Sequence, residues 1–124
     1  MNILDSSAWL AIFTDGQNAK KFTRPLENAT KLLVPSIVIY EVFKRILQEK
    51  NEETALRYIA NMKQGIVVEL DMDIALHAAK ISRSLNLAMA DSIILATAQQ
   101  YNATVWTQDR DFKGISGVKY FKKN

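Results

Sequence analysis

The sequence contains no cysteine, which removes disulfides, thiolate nucleophiles and thiolate-held metals from consideration. Histidine occurs once, at His77, one position off an apolar helical stripe. A side chain so placed serves packing or surface more often than chemistry, so no Ser–His–Asp arrangement is built on it and it receives no role. Glycine is sparse, and Gly16, Gly65, Gly114 and Gly117 fit no phosphate-cradling loop. No Gly-x-Ser-x-Gly elbow occurs either. No apolar run approaches the roughly 20 residues that cross a bilayer. The N-terminus, Met-Asn-Ile-Leu-Asp, lacks the basic and apolar regions of a secretory signal. A cytoplasmic location, with no membrane partner, is the expectation.

What remains is an ordinary soluble composition. The 124 residues suffice for one domain, 1–124, with its own core. Sixteen basic and thirteen acidic residues leave a net charge of +3, a weak pointer to a polyanionic partner that gains weight if several acids collect in one place. Lys20, Lys21, Arg24, Lys44, Arg45 and Lys113 offer phosphate contacts, and equally an ordinary solvated surface.

Strand and helix signals alternate along the chain. Ile3-Leu4 reads as a buried strand ending at Asp5, with Ser6 or Ser7 capping a helix over Ala8 to Phe13. Pro25 divides Gly16 to Ala29 into two short helices. Leu32 to Val34 is a second strand, stopped by Pro35, after which Ser36 caps a long helix to about Lys50. Glu52 to Met62 completes a helical hairpin, and Gly65 ends it. Ile66 to Leu70 is a third strand, and Asp73 is placed to cap the helix that follows. The stretch from Ala88 to Phe112 organises the rest: a helix with Ile94, Leu95, Ala98 and Tyr101 at helical spacing, a stop at Asn102, and a strand over Ala103 to Thr107. Val118 to Phe121 reads as a last, edge strand. This alternation implies an α/β fold, a central parallel sheet of about five strands with helices on both faces.

In such a sheet, helix starts and strand ends share one rim, where open α/β folds place their ligands. Four acids fall there: Asp5, Glu41, Asp91 and Asp109. Each has a plain alternative. Asp5 is a common turn or cap residue, Glu41 has Arg45 four residues on to pair with, and Asp111 beside Asp109 can cap the turn through Phe112. Four ionised carboxylates cannot crowd together unpartnered, because each raises the pKa of the others, and a bound cation removes the conflict. With oxygen ligands alone, the chemistry selects Mg²⁺ or Mn²⁺ over Zn²⁺. Such ions activate water and steady the oxygens of phosphoester hydrolysis. Ser6, Ser7, Ser92 and Thr107 lie near enough to hydrogen-bond the carboxylates or the water around a cation.

Four short pieces carry a resemblance: Leu-Asp-Ser-Ser at 4 to 7, Tyr-Glu-Val at 40 to 42, Ala-Asp-Ser-Ile-Ile-Leu at 90 to 95 and Thr-Gln-Asp-Arg-Asp-Phe at 107 to 112. Through them the chain resembles PIN-domain proteins, and in size and layout the VapC-type ribonuclease toxins of toxin–antitoxin pairs. The resemblance implies a three-layer α/β/α fold and a Mg²⁺- or Mn²⁺-dependent endoribonuclease. It implies metal binding and catalysis at Asp5, Glu41, Asp91 and Asp109, supported by Ser6, Thr107 and Asp111. It further implies a homodimer and a cognate antitoxin whose C-terminal segment lies over the site, with the hairpin around Val38 to Met62 as its docking place. Two other readings stand beside it: a PIN-like module that binds RNA or assembles without cutting, and a small-molecule phosphatase with a closed pocket.

Overall fold

The computed structural model describes residues 1–124. Five parallel strands form one sheet in the order β3-β2-β1-β4-β5. The strands are β1 (Asn2–Leu4), β2 (Leu32–Pro35), β3 (Ile66–Val68), β4 (Thr104–Thr107) and β5 (Val118–Tyr120). The helices are α1 (Ser6–Phe13), α2 (Ala19–Phe22), α3 (Ser36–Glu49), α4 (Glu52–Met62), α5 (Met72–Leu85) and α6 (Met89–Gln100). They cover both faces of the sheet, giving three α/β/α layers.

The central strands are buried runs, Ile3-Leu4 and Leu33-Val34, as a sheet covered on both faces requires. Val38, Val42 and Ile46 project from α3 into the same core at i, i+4 and i+8. Helix α6 is different. Every residue from Ser92 to Ala98 is buried, because α5, α3 and β4 enclose it. Its polar members are satisfied within the helix: the Thr97 hydroxyl donates to the Ile93 carbonyl at 2.8 Å, and Ser92 to those of Ala88 and Leu87. Tyr101, which the helical spacing puts on the apolar stripe, is instead 40% exposed, as the residue that caps the end of α6.

Local signals decide most boundaries. Asn102 leaves α6 with φ of 51°, the left-handed turn expected of it. The cap of α1 is Asp5 rather than Ser6 or Ser7: its carboxylate accepts the Ala8 N–H, and both serines lie inside the helix. The cap of α5 is Asp71, not Asp73, and Asp73 falls in the first turn. Strand β3 accordingly stops at Val68, short of the exposed Leu70. Ser36 begins α3 behind Pro35 and makes no capping bond. Between α1 and β2, only α2 is a true helix, and Pro25 opens a short 3-10 turn. Gly65 has a steric reason to be glycine, since a Cβ there would meet the Leu32 carbonyl oxygen and a Val34 methyl, each at 2.9 Å.

The order of the strands positions the site. The chain leaves β1 for β2 and β3 on one side, then returns through α5 and α6 to β4 and β5 on the other. The carboxyl ends of β1 and β4 therefore flank a topological switch point, the crevice in which open α/β sheets bind their ligands.

Candidate metal centre

Asp5 follows β1 directly, and its N–H donates to the Trp106 carbonyl at 3.1 Å, extending the ladder to β4. The side chain is 2% exposed and held by three donors. Oδ1 accepts the Ser7 hydroxyl at 2.7 Å and the Ala8 N–H at 2.9 Å; Oδ2 accepts the Thr107 hydroxyl at 2.5 Å. Thr107 in turn accepts the Asp109 N–H at 2.9 Å, which leaves its one proton for Asp5. Burial pushes the Asp5 carboxyl up to about 6, with Thr107, Ser7 and Ala8 holding it back and Asp109 adding repulsion. Both lone pairs of Oδ1 and one of Oδ2 are taken, so Asp5 has one lone pair left for a ligand.

Asp109 follows β4, caps the 3-10 turn Arg110–Phe112 and accepts the Asp111 N–H at 2.9 Å. Asp91 sits in the first turn of α6, which runs back toward the start of β4. One carboxylate oxygen each from Asp91, Asp109 and Asp111 lie within 4.8 Å of one another. Asp91 is pushed up to about 7, first by burial and then by Asp109, Glu41, Asp5 and Asp111. It accepts no side-chain or backbone hydrogen bond, so only its place in the first turn of α6 eases that repulsion.

Glu41 lies in the second turn of α3, with its Oε1 buried and without a hydrogen-bond partner. Burial raises its pKa, the Ser6 hydroxyl lowers it, and Asp109 raises it further. The alternative partner is engaged elsewhere: Arg45 Nε pairs with Glu49 at 2.6 Å. An orphaned carboxylate oxygen at a half-buried position costs free energy until something positive meets it.

The structure thus brings all four sequence-derived acids to one rim. It adds Asp111, expected only to support them, to the tightest cluster, while Asp5 and Glu41 fall outside that 4.8 Å set. The supporting residues divide by direction. Ser6 serves Glu41, whereas Ser7 and Thr107 serve Asp5. Ser7 also accepts the Gln108 N–H at 3.2 Å, tying α1 to the end of β4. Ser92 turns away to backbone carbonyls of its own helix start and contributes nothing to the acids. His77 lies away from the rim, with its Nε2 2.6 Å from Gln99 Oε1. Lys20, Lys21 and Arg24 line a separate groove beside Trp106. The donor set is all oxygen, several of its members are unpaired, and its charge is uncompensated. A hard divalent cation fits it, and a soft or imidazole-seeking metal does not.

No curated protein matches the sequence. Among solved structures, the chain is similar to a toxin–antitoxin complex from Klebsiella pneumoniae (23% identity, 98% of this chain and 99% of that one, TM-score 0.79). It is also similar to the sarcin–ricin loop cleaving toxin VapC20 of Mycobacterium tuberculosis (14% identity, 95% and 97%, TM-score 0.80). A third is the DNA-bound VapBC of Salmonella typhimurium (18% identity, 98% and 98%, TM-score 0.76). At these identities the likeness is one of fold. No helix is long and apolar enough to cross a membrane. The PIN domain family model matches residues 3–118, so with its switch-point acids and five-stranded parallel sheet the chain belongs to the PIN-domain family.

Proposed function

We propose that the chain is a Mg²⁺- or Mn²⁺-dependent endoribonuclease, the toxin of a type II toxin–antitoxin pair. The observation that carries this reading is the convergence of Asp91, Asp109 and Asp111 within 4.8 Å, beside a buried Asp5 and an unpaired Glu41. Asp91, Asp109 and Asp111 would hold the ion, with Asp5 giving one oxygen and Glu41 closing the far side. When bound, such a cation polarises the scissile phosphate and makes water nucleophilic at neutral pH. The chain's own groups supply position. Thr107 and Ser7 hold the Asp5 carboxylate in place, and the Asp109–Asp111 hydrogen bond sets the spacing of the half-buried Asp109 and the exposed Asp111. A toxin–antitoxin complex and a toxin that cleaves the sarcin–ricin loop among the similar structures support the reading.

The partners follow from apolar surface. On the α3–α4 hairpin, Leu47 and Leu56 are 41% and 53% exposed. A groove of about 300 Å³ between α1 and the end of α4 lies beside it, lined by Trp9, Phe13 and Leu26. An amphipathic segment of the antitoxin fits there. Met72, Leu76 and Met89 are 73%, 59% and 71% exposed along α5 and the start of α6, a face that a second copy of the chain covers in a homodimer.

The test is cleavage of total RNA by the purified chain with Mg²⁺ or Mn²⁺, with Asp91→Asn and chelator as controls. Cleavage that needs metal and vanishes in the variant is expected. Equal cleavage by parent and variant overturns the mechanism. RNA binding without cleavage under any divalent ion favours the non-catalytic module.

A further inference from the structure

A second feature lies off the carboxylate rim. Lys20 and Lys21 of α2, Arg24 behind it and Lys119 of β5 line one groove with Trp106 and Tyr120. Its volume is about 730 Å³, within the roughly 300–1,000 Å³ of ligand-binding clefts. Four cations face it and no carboxylate does. The chain has a single ion pair, Arg45 with Glu49, so none of the four has an acid partner. A patch of one sign raises the local concentration of a polyanion and speeds its arrival.

The floor is rigid and aromatic. Trp106 Nε1 donates to Asn2 Oδ1 at 2.9 Å, which fixes the indole. Its ring stacks on Phe121 with centroids 5.8 Å apart, and Phe22 meets Phe121 edge-on. Lys119 Nζ lies 4.5 Å above the indole centroid, and Lys21 Nζ 5.5 Å from that of Phe121. The ammonium groups are thereby held at the groove by ring faces, without neutralisation.

The groove lies one cleft away from the one that holds Glu41. Gln17 lines both it and a neighbouring cleft that contains Ser7, Gln108 and Lys123. Arg45 lines that cleft and the next, which contains Ser6 and Glu41. The three clefts are thus neighbours, with Glu49, the ion-pair partner of Arg45, in the middle one.

We propose that this groove is a second RNA site, which grips the phosphates of single-stranded nucleotides flanking the cleavage point. For the identity of the polymer this rests on the ribonuclease reading above. Charge alone would admit an acidic peptide equally. The partly open rings of Tyr120 and Phe121, beside the buried Trp106, favour a nucleic acid strand, whose backbone is anionic and whose bases stack on such rings.

The experiment is binding of a labelled single-stranded RNA by the full chain in chelator, across a range of salt, read by fluorescence anisotropy. Four phosphate contacts predict that the combined variant Lys20→Gln, Lys21→Gln, Arg24→Gln and Lys119→Gln flattens the log–log salt slope by about 3 and weakens binding by about tenfold or more near 0.1 M salt. A charge-matched variant on remote surface, Lys50→Gln, Lys63→Gln, Lys80→Gln and Arg83→Gln, should keep the parent's slope. Circular dichroism checks the fold of both, and Lys→Arg at 20, 21 and 119 should restore binding if the fold is intact. An unchanged slope and affinity in the groove variant overturns the proposal, as does equal weakening in both variants. Normal RNA binding together with lost affinity for polyglutamate assigns the groove to an acidic peptide instead, and also overturns it. Chelator keeps the outcome separate from catalysis: a parent that binds with this slope in chelator, yet does not cut once Mg²⁺ or Mn²⁺ is supplied, defeats the nuclease reading alone.

Discussion

Replacing Asp91 by Asn should stabilise the metal-free protein while abolishing its proposed activity. The amide is nearly isosteric, and Asp91 accepts no hydrogen bond whose loss would penalise the change. What disappears is a charge pressed against Asp109, Glu41, Asp5 and Asp111 in a partly dry setting. The unfolded chain releases this proton near 3.8, whereas the fold holds it up to about 7. Across that window the unfolded state binds fewer protons, so stability falls as pH rises from about 4 to about 7 and is level above. Asp5, pushed up to about 6, adds to the loss in the same direction. Taken at face value the Asp91 gap corresponds to ~4 kcal/mol. The side chain is partly open to solvent, and screening reduces this to ~1–2 kcal/mol. For a chain of this size each kcal/mol moves Tm by roughly 4 °C. Urea unfolding in chelator at pH 8 should therefore show the variant more stable than the parent, with the difference shrinking toward pH 4. Mn²⁺ should invert the order, because a ligand at 100 times its Kd stabilises the parent by about 2.7 kcal/mol. A variant no more stable than the parent at pH 8, or a parent indifferent to Mn²⁺, refutes the account of a frustrated acid cluster.

Thr107→Val should cost ~1–3 kcal/mol at pH 8, because it leaves a buried oxygen of Asp5 without its donor; the penalty, measured by urea unfolding, should shrink at pH 5, where Asp5 takes up a proton. Gly65→Ala should cost ~1–3 kcal/mol at every pH, because its Cβ meets backbone oxygen that cannot swing aside; a thermal melt reads it. Leu76→Glu should turn the proposed dimer into a monomer in light scattering, without loss of helix by circular dichroism.

Much of this was legible in the residues, for identifiable reasons. A short apolar or β-branched stretch closed by Asp within a residue or two reads as a strand that ends at the ligand rim, which places Asp5 and Asp109 from the sequence alone. Capping was harder to place. Asp5 precedes two serines, and all three side chains can cap; the winner is the carboxylate that also faces Thr107, a partner 102 positions away. Asp73 reads as the cap of α5 because it stands before an apolar residue, but so does Asp71, and the early end of β3 gives the cap to Asp71. Helix α6 misled because a periodic stripe implies one buried face, and a helix enclosed on all sides has none to mark. The competition of Arg45 between Glu41 and Glu49, four residues to either side, cannot be settled by spacing. Asp111 reads from the sequence as a supporting residue or a turn cap; the structure gives the cap to Asp109 and sets Asp111 in the first turn behind it, beside Asp91.

The grip on Asp5 has a consequence for how a cation would be received. Three donors drawn from two separate segments already dictate where its last free lone pair points. An arriving ion need not reorganise that corner of the crevice, so little conformational entropy is lost there. The turn after β4 is tied down as well: the Asp109 N–H donates to Thr107, its carboxylate accepts the Asp111 N–H, and Phe112 is fully buried. Room to adjust is left to the side chain of Asp111, the one exposed acid of the cluster.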